Sequence, residues 1–198
     1  MPKDKAKTPI TEQTGDTVDR FMAEWSRQRP DLDFDYLATI GRILRVSAHL
    51  RERMDAWLAP FGVTWEMFDL IASLRRAGNE GGLRPTDLYE VCMLSSGATT
   101  NRIDRAEKLD YAARRPDPDD GRAVRIALTK RGRALAEKAM TEHAIRASEI
   151  AGRLTADEQR TIARLLRKLL LSFEQDETAL PSKRPTGVGA KTATRKKK

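Results

Sequence analysis

Apolar residues Val18, Phe21, Met22 and Trp25 recur at i, i+3, i+4 and i+7, one face of a short helix, and Pro30 closes the segment. A longer stripe follows. Tyr36, Ile40, Ile43, Ser47, Leu50, Met54, Trp57 and Phe61 alternate by four and three, predicting one long packed helix that Pro60 and Gly62 end. Thr64 is placed to cap a further helix with Phe68, Ile71, Ala72 and Leu74 inward, up to the loop GNEGG. Pro85 suits the first turn of a short helix, where its missing N–H costs nothing, with Leu88, Val91 and Cys92 facing in. Ser95 or Ser96 then caps a helix whose apolar side is Ala98, Ile103, Ala106 and Leu109.

The period changes at Tyr111. Two short extended segments, Tyr111 to Arg115 and Ala123 to Leu128, flank PDPDDG, a turn composition that predicts a hairpin. Thr129 caps a long helix to about Gly152. Thr155 and Glu158 form a capping box for a last helix striped by Ile162, Leu165, Leu166, Leu169, Leu170 and Phe173.

The expected fold class is therefore mostly α with a small β wing: a helix-turn-helix and wing between long flanking helices, with an extra helix in front. The expected divisions are a disordered start at 1–15, an N-terminal and a long helix at 16–63 and a winged helix-turn-helix lobe at 64–128. C-terminal helices at 129–175 and a disordered basic tail at 176–198 complete the chain. The flanking helices carry more apolar stripe than one small centre can cover, so they are expected to pack on a second copy as a homodimer.

Composition narrows the function. The longest aliphatic run is Leu169 to Leu171, far short of a membrane span, and MPKDKAKTPI has charges but no apolar signal region. With one cysteine, Cys92, no internal disulfide forms, so the expectation is a cytoplasmic protein with no membrane partner. Cys92 lies on an apolar face and reads as a buried, inert thiol rather than a redox sensor. His49 and His143 are far apart, leaving little material for a triad or a metal site, and satisfied or exposed histidines are the expected reading over an interhelix metal site. No catalytic residue, metal ligand set or cofactor is assigned, and an enzyme is not expected.

Charge adds a second constraint. The net +8 lies almost wholly in PSKRPTGVGAKTATRKKK, which carries seven basic residues and no acid, whereas residues 1–180 hold 30 basic against 29 acidic. The tail is either a solvated end or a loose phosphate-binding arm. Any nucleic-acid surface on the body must come from how charge is placed.

The segment SSGATTNRIDRAEKL offers Ser95, Ser96, Thr99, Thr100, Asn101 and Arg105 as short donors and a cation for phosphates and base edges. Taken alone, it reads equally as a capped surface helix. Between Ser95 and Arg133, ten basic residues, Arg115 among them, face six acidic ones. Three of those acids, Asp117, Asp119 and Asp120, cluster at the hairpin tip beside Arg122. A bare acidic tip would repel DNA, so one aspartate should orient an arginine, and Asp120 with Arg122 is the expected pair. An arginine on a wing tip suits the narrow minor groove. An Asp-rich cation loop would need a spaced glycine and a terminal glutamate that are absent here.

Residues 36–173 resemble a MarR-family winged helix-turn-helix regulator. The matching motifs are LRPTDL (Leu83 to Leu88), LSSGATTNRIDRAEKLDY (Leu94 to Tyr111) and RPDPDDGRAVRIALTKRG (Arg115 to Gly132). Two positions depart from the family pattern. Arg84 stands where Thr or Ser usually caps the helix, which predicts fraying there, and Gly121 replaces a frequent wing arginine. The resemblance extends to the PecS/UrtR-type branch, whose members respond to urate and carry an extra N-terminal helix like DTVDRFMAEWSRQRPDLD.

That resemblance implies a small-molecule effector, urate or a similar aromatic or purine anion, held by Trp25, Asp69, Arg102 and Arg114. Trp25 would stack, the arginines would meet the anion's oxygens, and Asp69 would be the switch the anion repels. Singly, Trp25 also reads as core, and Asp69 with Arg102 as a structural ion pair. The implied function is a ligand-responsive repressor in the bacterial cytoplasm, associated with the nucleoid, that binds palindromic double-stranded DNA as a dimer. The alternative is an architectural DNA-binding protein that relies on the basic tail and senses nothing.

Overall fold

The computed structural model describes residues 15–78, 81–92 and 99–179, with backbone alone at 89, 90, 99 and 177–179. The chain divides into two compact units, residues 1–146 and 147–198.

In the first unit, α1 (Thr17–Gln28) begins on a reciprocal cap. The Asp16 carboxylate accepts from the N–H groups of Val18 (2.7 Å) and Asp19 (3.1 Å), and Asp19 accepts from the Asp16 N–H at 2.7 Å. Arg42 ties this start to the next segment, donating to Asp16 at 2.8 Å and Asp19 at 2.6 Å. Of the four apolar positions expected on one inner face, only Val18 is buried. Trp25 is half-exposed and stacks on Phe34, with ring centroids 5.5 Å apart.

The single long helix expected from Tyr36 is three pieces: a π-helical turn at Leu37–Gly41, α2 (Arg42–Leu58) and a 3-10 turn at Ala59–Phe61. One wide turn absorbs an extra residue without a proline or a polar gap, so the apolar stripe runs through it unmarked. Gly41 lies in that turn, where a Cβ would sit 3.1 Å from Val18, which lets α1 lie close. The lower end of the stripe packs on the core, with Trp57 and Phe61 partly buried beside the fully buried Leu58, whereas Tyr36 and Ile40 at its upper end are exposed.

Thr64 caps α3 (Trp65–Arg76), and Asp55 accepts from the Trp65 N–H at 2.7 Å. Phe68, Ile71 and Leu74 are buried as expected. α4 (Pro85–Val91) and α5 (Thr99–Lys108) follow, then the hairpin of β1 (Ala112–Pro116) and β2 (Val124–Leu128), antiparallel with Ala112 opposite Leu128 and Pro116 opposite Val124. Leu83 joins the outer side of β2 through two backbone bonds with Ile126, at 3.0 and 2.7 Å. Only glycine permits this at position 82: its φ is +88°, and a Cβ would lie 2.2 Å from the Ile126 carbonyl oxygen. Leu58, Leu70, Ile71, Leu88, Ile103 and Ile126 form the centre of the core, so α2 to α5 and the wing share one interior.

Thr129 starts α6 (Lys130–Ala151), its Oγ1 accepting from the Gly132 N–H at 3.0 Å. His143, on α6, is enclosed by rings, with centroids 5.3 Å from Phe68, 5.6 Å from Trp65 and 5.8 Å from Trp57. In the second unit, the Thr155–Glu158 capping box opens α7 (Ala156–Ala179), which runs past the expected end at 175. Its stripe residues Ile162, Leu165, Leu166, Leu170 and Phe173 are 43 to 56% exposed. The architecture is mostly α with a small two-stranded wing, the fold class the pattern predicts.

Candidate nucleic-acid interface

α5 turns an apolar side inward, where Ile103 and Ala106 are buried, and leaves Thr100, Asn101 and Arg105 exposed on the other. Ser95 and Ser96, the expected caps, lie outside the described residues, as does the side chain of Thr99. Arg115 on β1 and Arg122 at the wing tip are exposed. Among the described residues, Arg105, Arg115 and Arg122 form no ion pair with a carboxylate. Several other cations of this region are already engaged. Arg114 pairs with Asp104 at 2.7 Å and with Glu107, and the Arg131 guanidinium stands 5.2 Å over the Tyr111 ring.

The three aspartates of the wing turn have separate tasks, which corrects the expected Asp120–Arg122 side-chain pair. Asp120 accepts from the backbone N–H of Arg122 at 3.0 Å and so shapes the turn, as short polar side chains do in loops. The residue that gathers two arginines is Asp117. It is buried, accepts from Arg84 Nε at 2.7 Å, lies 3.2 Å from Arg125 Nε, and accepts from the Asp119 N–H at 3.0 Å. Its pKa is lowered to about 2, first by the Asp119 N–H against the cost of burial, then by Arg84 and Arg125. Asp119 takes the remaining arm of Arg125 at 3.2 Å.

The expected fraying at Arg84 does not occur. The Asp87 carboxylate accepts from the Arg84 N–H at 3.3 Å and holds the first turn of α4, freeing the arginine side chain for the wing. Sequence alone hides this bond because 33 residues separate its partners; the departure from Thr or Ser was its one visible sign.

The four effector residues fall in different surroundings. Asp69 is buried on α3 at 4% exposure. Burial first, then the Asp69 charge, pushes the Cys92 thiol up, while Arg102 acts on it in the opposite sense. Burial also pushes the nearby Glu66 carboxyl up, but its own N–H, Thr64, Arg51 and Arg102 leave it lowered. Asp69 and Arg102 thus both lie within electrostatic reach of Cys92. Trp25 meets Phe34, and Arg114 meets Asp104 and Glu107, so the structure does not draw the four into one cluster. A separate cleft of about 300 Å³ lies between α3 and α6, lined by Arg75, Arg76, Glu137 and Met140 among others, and no motif had marked it.

The family model described as MarR family matches residues 61–123, the helix-turn-helix and wing. PecS of Dickeya dadantii, an HTH-type transcriptional regulator, is 30% identical over 149 residues, spanning 75% of this chain and 90% of PecS. The chain belongs to the MarR family. The HTH-type transcriptional repressor Rv2887 of Mycobacterium tuberculosis is 35% identical over 135 residues, 67% of this chain and 94% of the repressor. Among solved structures, a cysteine-to-serine mutant of MarR from E. coli complexed with operator DNA gives a TM-score of 0.60 at 29% identity, over 69% of this chain and 97% of that one.

This MarR-family chain is accordingly a DNA-binding transcriptional regulator, and its relatives are regulators rather than enzymes. No described helix is long and apolar enough to cross a membrane. Among the described residues, no group of three or more His, Cys, Asp or Glu side chains is placed to hold a metal ion.

Proposed function

We propose that this regulator is a homodimeric repressor that binds palindromic operator DNA in the bacterial cytoplasm and is released by urate or a similar flat anion. The observation that carries the DNA part is the exposed, unpaired Arg122 at the tip of a wing built into the same core as α5. In this reading α5 enters the major groove with Thr100, Asn101 and Arg105, Ser95, Ser96 and Thr99 supply contacts at its start, Arg115 meets phosphate, and Arg122 reaches the neighbouring minor groove. The MarR–operator structure supports the DNA partner, and the name of Rv2887 supports repression.

The dimer is supported by the half-exposed leucines and Phe173 of α7, since covering the exposed half of each would contribute about 1 kcal/mol. Similarity to PecS supports the effector. Asp69 and Arg102, both within electrostatic reach of Cys92, are the pair an arriving anion would disturb; Trp25 and Arg114 would have to move toward them. Arg122→Ala tests the DNA part. It should weaken operator binding about tenfold or more, the scale of one lost groove contact, with the unfolding midpoint unchanged. Undiminished binding would remove Arg122 from the interface.

A further inference from the structure

The turn between the two strands, residues 117–123, carries three carboxylates, Asp117, Asp119 and Asp120, against one arginine, Arg122. Left to itself it would approach the phosphate backbone with a net negative charge. Two cations reach these carboxylates from outside the turn: Arg125 on β2, 3.2 Å from both Asp117 and Asp119, and Arg84, at the head of α4, which donates its Nε to Asp117 at 2.7 Å. That carboxylate is fully buried, whereas the arginine side chain is 43% exposed. The turn around it is closed by Asp117 N–H on the Ala123 carbonyl (3.0 Å) and Ala123 N–H on the Asp120 carbonyl (2.8 Å). The tip is therefore a small closed loop that, among the described residues, is tethered to the helix-turn-helix by the Arg84 side chain.

We propose that Arg84 is a positioning residue for DNA binding, which cancels the excess acidity of the wing tip and clasps it to α4 so that Arg122 is presented at a fixed height. Two consequences distinguish this from a merely stabilising ion pair. The charge term acts over a Debye length, about 8 Å at physiological salt, so it fades as salt rises. The clasp term needs the guanidinium's directed donor, which a lysine ammonium supplies less well. The proposal rests on the DNA-binding reading above.

The experiment compares wild type with Arg84→Thr, Arg84→Lys, Asp117→Asn and the Arg84→Thr/Asp117→Asn double variant. Operator affinity is measured at about 50 and 300 mM salt, alongside thermal unfolding. Arg84→Thr should bind about tenfold more weakly at low salt, the scale of one charge-assisted hydrogen bond, and less so at high salt. Arg84→Lys should recover part of the loss. The double variant, with charge balance restored, should bind more tightly than Arg84→Thr alone.

Affinity unchanged in Arg84→Thr overturns the proposal, and so does a loss that the double variant leaves in full. Should Arg84→Thr unfold, Arg84→Lys, which keeps the charge and loses the directed fork, decides: affinity equal to wild type at both salts rejects the clasp. Wild type that fails to bind operator removes the DNA-binding reading and this one with it, a failure visible before any variant is made.

Discussion

Arg114 on β1 reaches across to α5, where its guanidinium meets Asp104 at 2.7 Å and Glu107, while its backbone N–H donates to Glu107 at 3.0 Å. One residue thereby joins the first wing strand to the helix proposed to read DNA. Its side chain is 39% exposed, so solvent screens the pair and the stability at stake is small, about 1 kcal/mol or less. Orientation is the larger stake, because removing the arginine leaves two carboxylates facing each other with nothing between them.

Arg114→Ala should therefore lower the unfolding free energy by about 1 kcal/mol or less while weakening operator binding several-fold. Denaturant titration and DNA binding on the same preparation check it. A stability loss of several kcal/mol with normal DNA affinity would show that the brace serves the fold alone.

Gly132 offers a sharper test of the fold. A Cβ there would lie 1.8 Å from the Tyr111 carbonyl oxygen, a backbone atom that also accepts from the Thr129 N–H at 3.1 Å. Neither side can yield without moving α6 off the wing. Gly132→Ala should destabilise by about 3 kcal/mol, the upper range for overpacking, against a helix propensity that favours alanine. A variant as stable as wild type in a thermal melt would contradict the packing at this junction.

The caps and periods of α3, the hairpin, α6 and α7 were legible because each is a local signal, such as Thr64, PDPDDG, Thr129 or the Thr155–Glu158 box. The features that were not legible are tertiary. Nothing local tells Asp117 from Asp120 as the arginine partner, since the choice depends on Arg84 arriving from α4. Exposed Asp120 is left to shape the turn. The π-helical turn at Leu37–Gly41 hides inside an unbroken stripe. Asp69 and Arg102 both act on Cys92, but Trp25 and Arg114 are engaged elsewhere, on Phe34 and on Asp104 and Glu107.

His143 makes stability pH-dependent. Enclosed by Trp57, Trp65 and Phe68, it is held below its ordinary pKa of 6.5 by burial. Below about pH 6.5 the unfolded chain binds this proton and the folded chain does not, so stability falls as pH drops through that value, and nothing is lost above it. His143→Phe keeps a ring in the box and removes the titration. Urea unfolding between pH 7.5 and 5.5 should show a slope for wild type that flattens in the variant; equal slopes would place the titrating group elsewhere.

Asp69 tests the effector reading. It is buried on α3 within electrostatic reach of Cys92, where an arriving anion would be repelled by its charge. Asp69→Asn keeps the shape and removes that charge. DNA affinity without effector should stay within about threefold of wild type, below the 1.4 kcal/mol that a tenfold change represents, and the response to urate should be blunted. A variant released by urate as readily as wild type would take the switch away from Asp69.

The most direct test of the central claim is fluorescence anisotropy of a labelled fragment from immediately upstream of this protein's own gene, titrated with the full chain with and without urate. An unrelated fragment at the same salt is the control, because affinity without fixed salt has no meaning. The account predicts tighter binding to the upstream fragment and a loss of that binding when urate is added. Equal binding to both fragments, indifferent to urate, would contradict it and point to a sequence-independent DNA-binding protein carried by the seven basic residues after Leu180.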